Sequence, residues 1–372
     1  MNRYFPEIKK NFGFGCMRLP MTDGRVNQTE FCAMIDLFLK SGFNYFDTAH
    51  GYLDGQSETA LRECLVKRYP RESYILTDKL SCNYFDRQEE IRPYFDRQRE
   101  ACGVDYFDFY LMHAQNAELY DKYRRCRAYE TALELKAEGK IRHFGLSFHD
   151  KATVLDRILT DYPQVEVVQI QFNYADYDDP TVEGRQCYEV CRKHGKPIIV
   201  MEPVKGGSLV KLPDRAQRIF DALGGGSNAG YALRYAAGFA GMAMVISGMS
   251  NLEQMQDNLA TMQDFRPLDE REQAAVARVQ QILRGQDRIS CTACRYCTEV
   301  CPQSIPIPEL FACLNEKRQD PGRQDDCGYA AVNTAENRRA SDCLRCGRCE
   351  AACPQHLPIR SLLAEAAEAF EA

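Results

Sequence analysis

Two cysteine runs in the last third of this 372-residue chain constrain its fold more than any other feature. Each run reads Cys-x2-Cys-x2-Cys-x3-Cys-Pro, the spacing of bacterial ferredoxins with two 4Fe-4S clusters. The first three thiolates of such a run hold one cluster, and the fourth usually binds the cluster of the other run. The predicted cluster ligands are therefore Cys291, Cys294, Cys297, Cys301, Cys343, Cys346, Cys349 and Cys353.

Zinc is the alternative metal for these runs, because structural zinc sites also use Cys-x2-Cys pairs. A zinc ion needs only four ligands, so it has no use for a third cysteine at that spacing followed by a fourth and a proline. Soft thiolates suit iron and sulfide. We therefore favour two 4Fe-4S clusters, which transfer electrons one at a time.

The remaining cysteines indicate the cellular compartment, and the net charge indicates the class of binding partner. Of the 18 cysteines, those outside the two runs are scattered without a regular framework, and the first residues contain no apolar signal segment. No apolar stretch approaches the roughly 18 residues that a membrane span needs. We expect a cytoplasmic protein with reduced thiols and no membrane association. A net charge of -6 with mixed signs argues against a nucleic-acid partner.

Upstream of the cysteine runs, short apolar segments alternate with amphipathic ones, as in parallel α/β proteins. The eight predicted strands are Phe12 to Leu19, Phe43 to Ala49, Tyr74 to Lys79, Tyr106 to His113, His143 to Phe148, Val165 to Asn173, Pro197 to Glu202 and Met242 to Met249. Eight strand–helix units in roughly 270 residues fit a closed (β/α)8 TIM barrel. An open doubly wound sheet is the alternative, but no Gly-x-Gly-x-x-Gly turn follows the first strand.

These patterns predict two domains. Residues 1–285 form the α/β barrel, and residues 286–372 form a small, mostly α-helical, ferredoxin-like domain with two clusters. A helix from about Asp269 to Leu283 joins them, and at 1.5 Å per residue it is long enough to run along the barrel wall. We expect the ferredoxin-like domain to pack beside the open, C-terminal mouth of the barrel.

Polar residues gather where the predicted barrel strands end, which is where TIM-barrel active sites lie. Asp47 and Tyr52 follow the second strand, Lys79 ends the third and His113 ends the fourth. Each side chain alone is ordinary at a strand end or on a surface. Four such types on three consecutive strands instead favour an active site.

With these four residues, and over essentially the whole first domain, the chain resembles the aldo/keto reductase family. The resemblance implies a catalytic tetrad in which Tyr52 donates a proton and Asp47 orients Lys79. His113 would position the substrate carbonyl. A nearby lysine cation lowers the pKa of a tyrosine, so we expect Lys79 to lower the pKa of Tyr52.

The resemblance also implies a nicotinamide site. A serine and a glutamine would grip the nicotinamide amide, a short glycine-rich loop with a lysine would approach the phosphates, and two residues after the eighth strand would reach the adenine. These predicted cofactor contacts are Ser147, Gln169, Lys205, Gly206, Asp257 and Asn258.

The chain departs from the family pattern at this site. Phe148 stands in the place of an asparagine, and Glu202 occupies the position of an aromatic residue that stacks on the nicotinamide. After the eighth strand, Gly248, Met249 and Gln254 replace the Lys-Ser and Arg that hold a 2'-phosphate. A phosphate site normally needs Arg or Lys, so the sequence favours NAD(H) over NADP(H). Lys205 or Lys211, after the seventh strand, remains a candidate for a phosphate contact.

The C-terminal part resembles the extension of a distinct branch of aldo/keto reductases that carry 4Fe-4S domains. The wide separation of its two runs, with helical composition over Pro308 to Ala340, predicts a helical module. The whole chain then predicts an oxidoreductase that interconverts a carbonyl and an alcohol with a nicotinamide. It would pass electrons to or from two clusters, with a small-molecule substrate and ferredoxin or another redox protein as partners.

Two alternatives stay open at this point, because hydride transfer moves two electrons together and each cluster accepts only one. The clusters are structural or regulatory in the first alternative, and the barrel carries out simple nicotinamide chemistry. In the second, the chain is an electron-transfer or docking protein whose barrel is structural and non-catalytic. An intact tetrad argues against the second.

Overall fold

The computed structural model describes residues 4–319, 328–336 and 338–371. Eight parallel strands close into a barrel, with each strand paired to the next and the last paired to the first. The strands are β1 (Phe12–Gly15), β2 (Tyr45–Asp47), β3 (Ile75–Leu80), β4 (Phe107–Gln115), β5 (Ile141–Phe148), β6 (Val167–Gln171), β7 (Ile198–Met201) and β8 (Met242–Gly248). The predicted (β/α)8 fold is confirmed. A short hairpin of Met21–Thr22 and Arg25–Val26, which the sequence did not predict, follows β1.

The α-helices surround the barrel and build the C-terminal module. They are α1 (Gln28–Lys40), α2 (Gln56–Leu61), α3 (Gln88–Cys102), α4 (Ala117–Arg125), α5 (Ala128–Ala137), α6 (Ala152–Asp161), α7 (Gly184–Lys193), α8 (Asp214–Asp221), α9 (Asn228–Ala237), α10 (Leu252–Gln263), α11 (Glu270–Arg284), α12 (Tyr296–Glu299), α13 (Ile307–Gln319), α14 (Tyr329–Glu336), α15 (Arg348–Ala351) and α16 (Ile359–Phe370). Within the described ranges, none of these helices has the length and apolar character that crossing a membrane requires.

Helix α1 illustrates how the sequence builds the barrel wall. Phe31, Met34, Ile35 and Phe38 recur at helical spacing and are fully buried against the barrel sheet. The side chain of Asn27 caps the helix by accepting a hydrogen bond from the third residue beyond it, which satisfies one of the free backbone N–H groups there. One apolar face and one capping residue thus fix the position of the helix after β1.

The N-terminal segment closes the bottom of the barrel. Phe5 and Ile8 are buried with the residues that point into the barrel interior, and the Phe5 ring lies edge-on to Phe109 at a centroid distance of 4.9 Å. Because this end is filled by side chains, the chemistry of the barrel is confined to the opposite end, where the strands have their carboxyl termini.

The C-terminal module has its own apolar core, built by α13 and α16. Leu310, Phe311 and Leu314 of α13 are buried together with Leu362 and Leu363 of α16. The predicted helical segment between the cysteine runs is present as α13 and α14, and residues 320–327 lie outside the described part of the chain. The predicted connecting helix is α11, which begins with a reciprocal capping box at its N-terminus.

The module packs on the C-terminal mouth of the barrel, as predicted. Arg18, just after β1, donates a hydrogen bond to the carbonyl oxygen of Thr292 at 2.6 Å. Gln355 exchanges hydrogen bonds with Gln171 at the end of β6, at 3.1 and 3.2 Å, and donates one to Glu202 after β7 at 3.1 Å. These contacts join the ends of three barrel strands to the loops that carry the cysteine runs.

We expect Gly145→Ala in β5 to destabilise the barrel. A Cβ atom at this position would lie 2.6 Å from the side chain and the carbonyl oxygen of Val167 and 2.7 Å from Leu111. Such overpacking costs about 1–3 kcal/mol, so the apparent Tm of the anaerobic protein should fall. The control is Gly225→Ala, at an exposed glycine where a Cβ would meet nothing within 4 Å. Equal Tm values for the two variants would contradict this account of strand packing.

Candidate active site and cluster sites

A buried ion pair lies at the centre of the barrel mouth. Lys79 Nζ, at the end of β3, lies 2.6 Å from Asp47 Oδ1 at the end of β2 and donates to the carbonyl oxygen of Thr48 at 2.7 Å. The other oxygen of Asp47 accepts a hydrogen bond from Gln169 on β6 at 3.2 Å. Tyr52 directs its hydroxyl oxygen to within 3.3 Å of Lys79 Nζ. The four side chains therefore meet although they come from three strands.

His113 faces this group from the end of β4. Its ring lies edge-on to the Tyr52 ring at 6.0 Å, and its Nδ1 is 2.6 Å from the hydroxyl of Ser81. Burial, together with the nearby Lys79 cation, lowers the pKa of His113 well below its usual value, so the imidazole is neutral. When Ser81 donates to Nδ1, the ring proton sits on Nε2, which is then a donor toward the cavity.

The prediction that Lys79 lowers the pKa of Tyr52 is wrong. Burial raises the pKa of Tyr52 well above 10, and the Asp47 carboxylate raises it further, while the neighbouring Tyr296 hydroxyl acts in the opposite direction. Asp47 already pairs with the Lys79 cation at 2.6 Å, so little net positive charge acts on the phenol. Tyr52 is therefore protonated at neutral pH, which is the form that donates a proton.

Two solvent-open cavities meet at these side chains. The first, which we call the inner cavity, has a volume of about 1630 Å³ and lies over the strand ends. The second, the outer cavity, has a volume of about 1250 Å³ and lies between the barrel and the module. The residues that line both cavities are Tyr52, His113, His149, Tyr296 and Pro354.

Most of the predicted cofactor residues line the inner cavity, namely Ser147, Gln169, Gly206, Asp257 and Asn258. The Ser147 hydroxyl also accepts a hydrogen bond from the backbone N–H of Ala114 at 2.8 Å, and Asn258 donates to the Ser247 hydroxyl at 3.2 Å. The cavity thus brings together residues from β5, β6, the loop after β7 and helix α10.

Lys205 is not brought to the inner cavity, which corrects its predicted role. Its ammonium is buried, pairs with the carboxylate of Asp176 and lies 3.5 Å from the side-chain oxygen of Gln355. A lysine held in this way is not available to a phosphate. The cations that line the inner cavity, within the described ranges, are Arg18 and Lys211.

The loop after β7 serves the contact with the module. Gly206 has a φ of +62°, and a Cβ there would lie 2.5 Å from the carbonyl oxygen of Thr292, so only glycine fits. Glu202, at the position of the family's stacking aromatic, accepts hydrogen bonds from Gln355 at 3.1 Å and from the Thr292 hydroxyl at 3.4 Å. Burial raises the pKa of Glu202 to about 7.

Sequence reasoning missed four residues of this site. Arg18 lines the inner cavity, and His149 lines both cavities with an Nδ1 atom that has no partner among the described residues. Tyr296 and Pro354 enter from the module. Both belong to the cysteine runs, but the predicted packing of the module on the barrel mouth does not indicate which residues of the runs reach the site.

The eight predicted cluster cysteines form two groups of four. One small cavity is lined by Cys291, Cys294, Cys297 and Cys353, and a second by Cys301, Cys343, Cys346 and Cys349. The fourth cysteine of each run thus joins the first three of the other, as the ferredoxin spacing predicts. The rest of both linings is largely apolar. Four convergent thiols around a small apolar space fit a 4Fe-4S cluster at each site.

Fold and cysteine sites together define a class, that of iron–sulfur oxidoreductases built on a (β/α)8 barrel. The chain belongs to the aldo/keto reductase family, whose model matches residues 11–281. A model of the 4Fe-4S dicluster domain matches residues 290–357.

Individual relatives are distant. The chain is 27% identical over 195 residues to an NADH-specific methylglyoxal reductase from Escherichia coli, and this match covers 47% of the chain but only 57% of that enzyme. It is 25% identical over 297 residues to L-galactose dehydrogenase from Arabidopsis thaliana, covering 73% of the chain and 89% of the relative. An aldo-keto reductase from Klebsiella pneumoniae, solved in complex with NADPH, shares the fold at a TM-score of 0.57 and 20% identity, over 73% of the chain and 90% of that structure.

We expect the anaerobically purified protein to contain about eight irons and about eight labile sulfides per chain, because each group of four thiols fits one cluster. Cys343→Ser removes one ligand of the second group and should lower the iron content to about half. Cys32→Ser, at a partly buried cysteine on α1, is the control and should keep the full iron content. Iron and sulfide analysis is the measurement, and zinc without sulfide would contradict the assignment.

Proposed function

We propose that the chain is a nicotinamide-dependent oxidoreductase that interconverts a carbonyl and an alcohol in its barrel and exchanges electrons with two 4Fe-4S clusters in its module. The inner cavity carries this proposal. It is lined by Asp47, Tyr52 and His113 on the barrel side and by the cluster-site residue Cys294 on the other. One continuous space thus touches both the proposed proton donor and a proposed cluster ligand.

Each residue of the tetrad has a role that follows from its contacts. Tyr52 holds a proton toward the carbonyl oxygen, and His113 Nε2 faces the same point. Lys79 neutralises Asp47 and keeps the Tyr52 hydroxyl in place at 3.3 Å. As the carbonyl carbon gains a hydride, its oxygen takes the Tyr52 proton, and the product is the alcohol. Oxidation of the alcohol is the same step in reverse.

The inner cavity is the proposed site of the nicotinamide, with Ser147, Gln169, Gly206, Asp257 and Asn258 in its lining. When bound, a reduced nicotinamide supplies the hydride, and the clusters supply or accept single electrons. Two observations support NAD(H) over NADP(H). One relative is named as an NADH-specific reductase, and helix α10 has no Lys or Arg at its start. Against this stands a structural neighbour solved with NADPH. A comparison of the KM for NADH with the KM for NADPH tests this preference.

The second cluster site is the proposed entry for electrons from a redox protein. Cys346 is exposed, and its neighbour Leu344 has 63% of its surface accessible, an unusual position for a large apolar side chain. Arg345 and Arg348 stand in the same run. An apolar side chain among cations near a cluster site suits an acidic ferredoxin as the partner. The reduced thiols and clusters also support a cytoplasmic location.

We expect Tyr52→Phe to lower the rate of carbonyl reduction by about 10²- to 10⁴-fold, since general acid catalysis is typically worth that much. The assay is anaerobic reduction of methylglyoxal and other small aldehydes with NADH and with NADPH. Tyr188→Phe, on α7 and away from the site, removes a hydrogen bond to the carbonyl oxygen of Ala240 and should leave the rate unchanged. A Tyr52→Phe variant with wild-type turnover would contradict the proposed role. A wild-type protein without turnover would favour the non-catalytic barrel.

The rate of carbonyl reduction should be constant between about pH 7 and about pH 9. The pKa of Tyr52 lies above its ordinary value and the pKa of His113 lies below its own, so the tyrosine stays protonated and the histidine stays neutral over this range. Stopped-flow single turnovers at saturating nicotinamide measure this. A loss of rate with a midpoint near pH 8 would instead mean that Lys79 lowers the pKa of Tyr52.

A further inference from the structure

Tyr296 is a residue of the cluster module that reaches into the barrel active site. It stands between Cys294 and Cys297 of the first cysteine group and begins helix α12. Its hydroxyl lies 3.4 Å from His113 Nε2 and close to the hydroxyl of Tyr52. Its ring meets the His113 ring edge-on at 6.2 Å.

The position of the Tyr296 hydroxyl bears on where the carbonyl oxygen of a substrate would bind. In the proposed reaction, the carbonyl oxygen must lie within hydrogen-bond reach of both Tyr52 and His113 Nε2, because one donates the proton and the other fixes the oxygen. The hydroxyl oxygen of Tyr296 already stands within 3.4 Å of His113 Nε2, on the side of the site where Tyr52 lies. A substrate oxygen and this hydroxyl therefore compete for one place.

The Tyr296 ring lies where the two cavities meet, so a substrate can reach it. The ring lines the inner cavity, where the nicotinamide is proposed to bind, and the outer cavity, which is open between the barrel and the module. Tyr52 and His113 line both cavities as well, so a carbonyl compound in the outer cavity reaches Tyr52, His113 and Tyr296 together. The outer cavity, about 1250 Å³ in volume, has room for the displaced side chain.

We propose that Tyr296 is a substrate-site residue supplied by the ferredoxin-like module, whose hydroxyl occupies the carbonyl-oxygen position of the closed site and is displaced by the substrate. This inference rests on the proposed function. It makes the module a part of the substrate site as well as an electron carrier. Arg295, in the left-handed region at a φ of +68°, occupies the N-cap position of α12 directly before Tyr296, so the cluster-binding loop sets where the ring stands.

The test is Tyr296→Phe, which keeps the ring and removes only the competing hydroxyl. Loss of one neutral hydrogen bond corresponds to about a fivefold change in an equilibrium constant. With 4-nitrobenzaldehyde as the probe, KM should fall about fivefold while kcat changes by less than about twofold. Iron and sulfide contents should match the wild type. Tyr188→Phe again serves as the control and should leave KM unchanged.

A binding measurement separates this inference from the proposed function. Acetate presents a carboxylate oxygen to the same position and needs no turnover, so calorimetric titration of acetate into the intact protein with oxidised nicotinamide reads the competition directly. Tighter acetate binding by Tyr296→Phe supports the inference even when no aldehyde is reduced, in which case only the proposed function fails. A kcat at least tenfold lower at constant KM would overturn it in favour of a proton-transfer role. Unchanged KM and unchanged acetate affinity would overturn it in favour of simple packing.

Discussion

The buried and partly buried hydrogen bonds between the cluster module and the barrel mouth are the contacts on which the composite site depends. Gln355 pairs with Gln171 and Glu202, and Thr292 pairs with Arg18 and Glu202. Buried polar groups are costly unless they are hydrogen-bonded, and here each part of the chain supplies the partners of the other. Separation of the module from the barrel would leave these groups without their present partners. The barrel and the module therefore act as one structural unit, and the first cysteine group is held at the mouth of the barrel.

The packing of the module on the barrel mouth brings residues of a cluster site next to the tetrad. The ion pair of Lys79 and Asp47 is fixed by the closed barrel, whose adjacent strands bring the two charges to 2.6 Å. Tyr52 and His113 face outward from that pair, toward the two cavities that residues of the module also line. Because Tyr296 comes from a cluster-binding loop, the geometry of the substrate site and that of the cluster site are linked through one short segment.

Sequence reasoning reached the features that local pattern determines. Strand positions follow from runs of apolar residues, and the cluster ligands follow from spacing alone, so both were predictable. The role of Lys205 was not, because its buried partner Asp176 lies far away in sequence. The pKa of Tyr52 was predicted in the wrong direction, since a strand-end pattern reveals a nearby lysine but neither the burial nor the carboxylate that opposes it. Tyr296 was missed because the docking of two domains leaves no periodic signal.

The proposed function requires that the barrel and the module exchange electrons through their shared cavity. The most direct measurement is anaerobic reduction of an aldehyde by reduced methyl viologen in the presence of a catalytic amount of nicotinamide, where two viologen electrons and two protons yield one alcohol. We expect sustained turnover that is lost in both Tyr52→Phe and Cys294→Ser. Turnover with stoichiometric reduced nicotinamide but none with viologen would contradict the claim and leave the clusters a structural role.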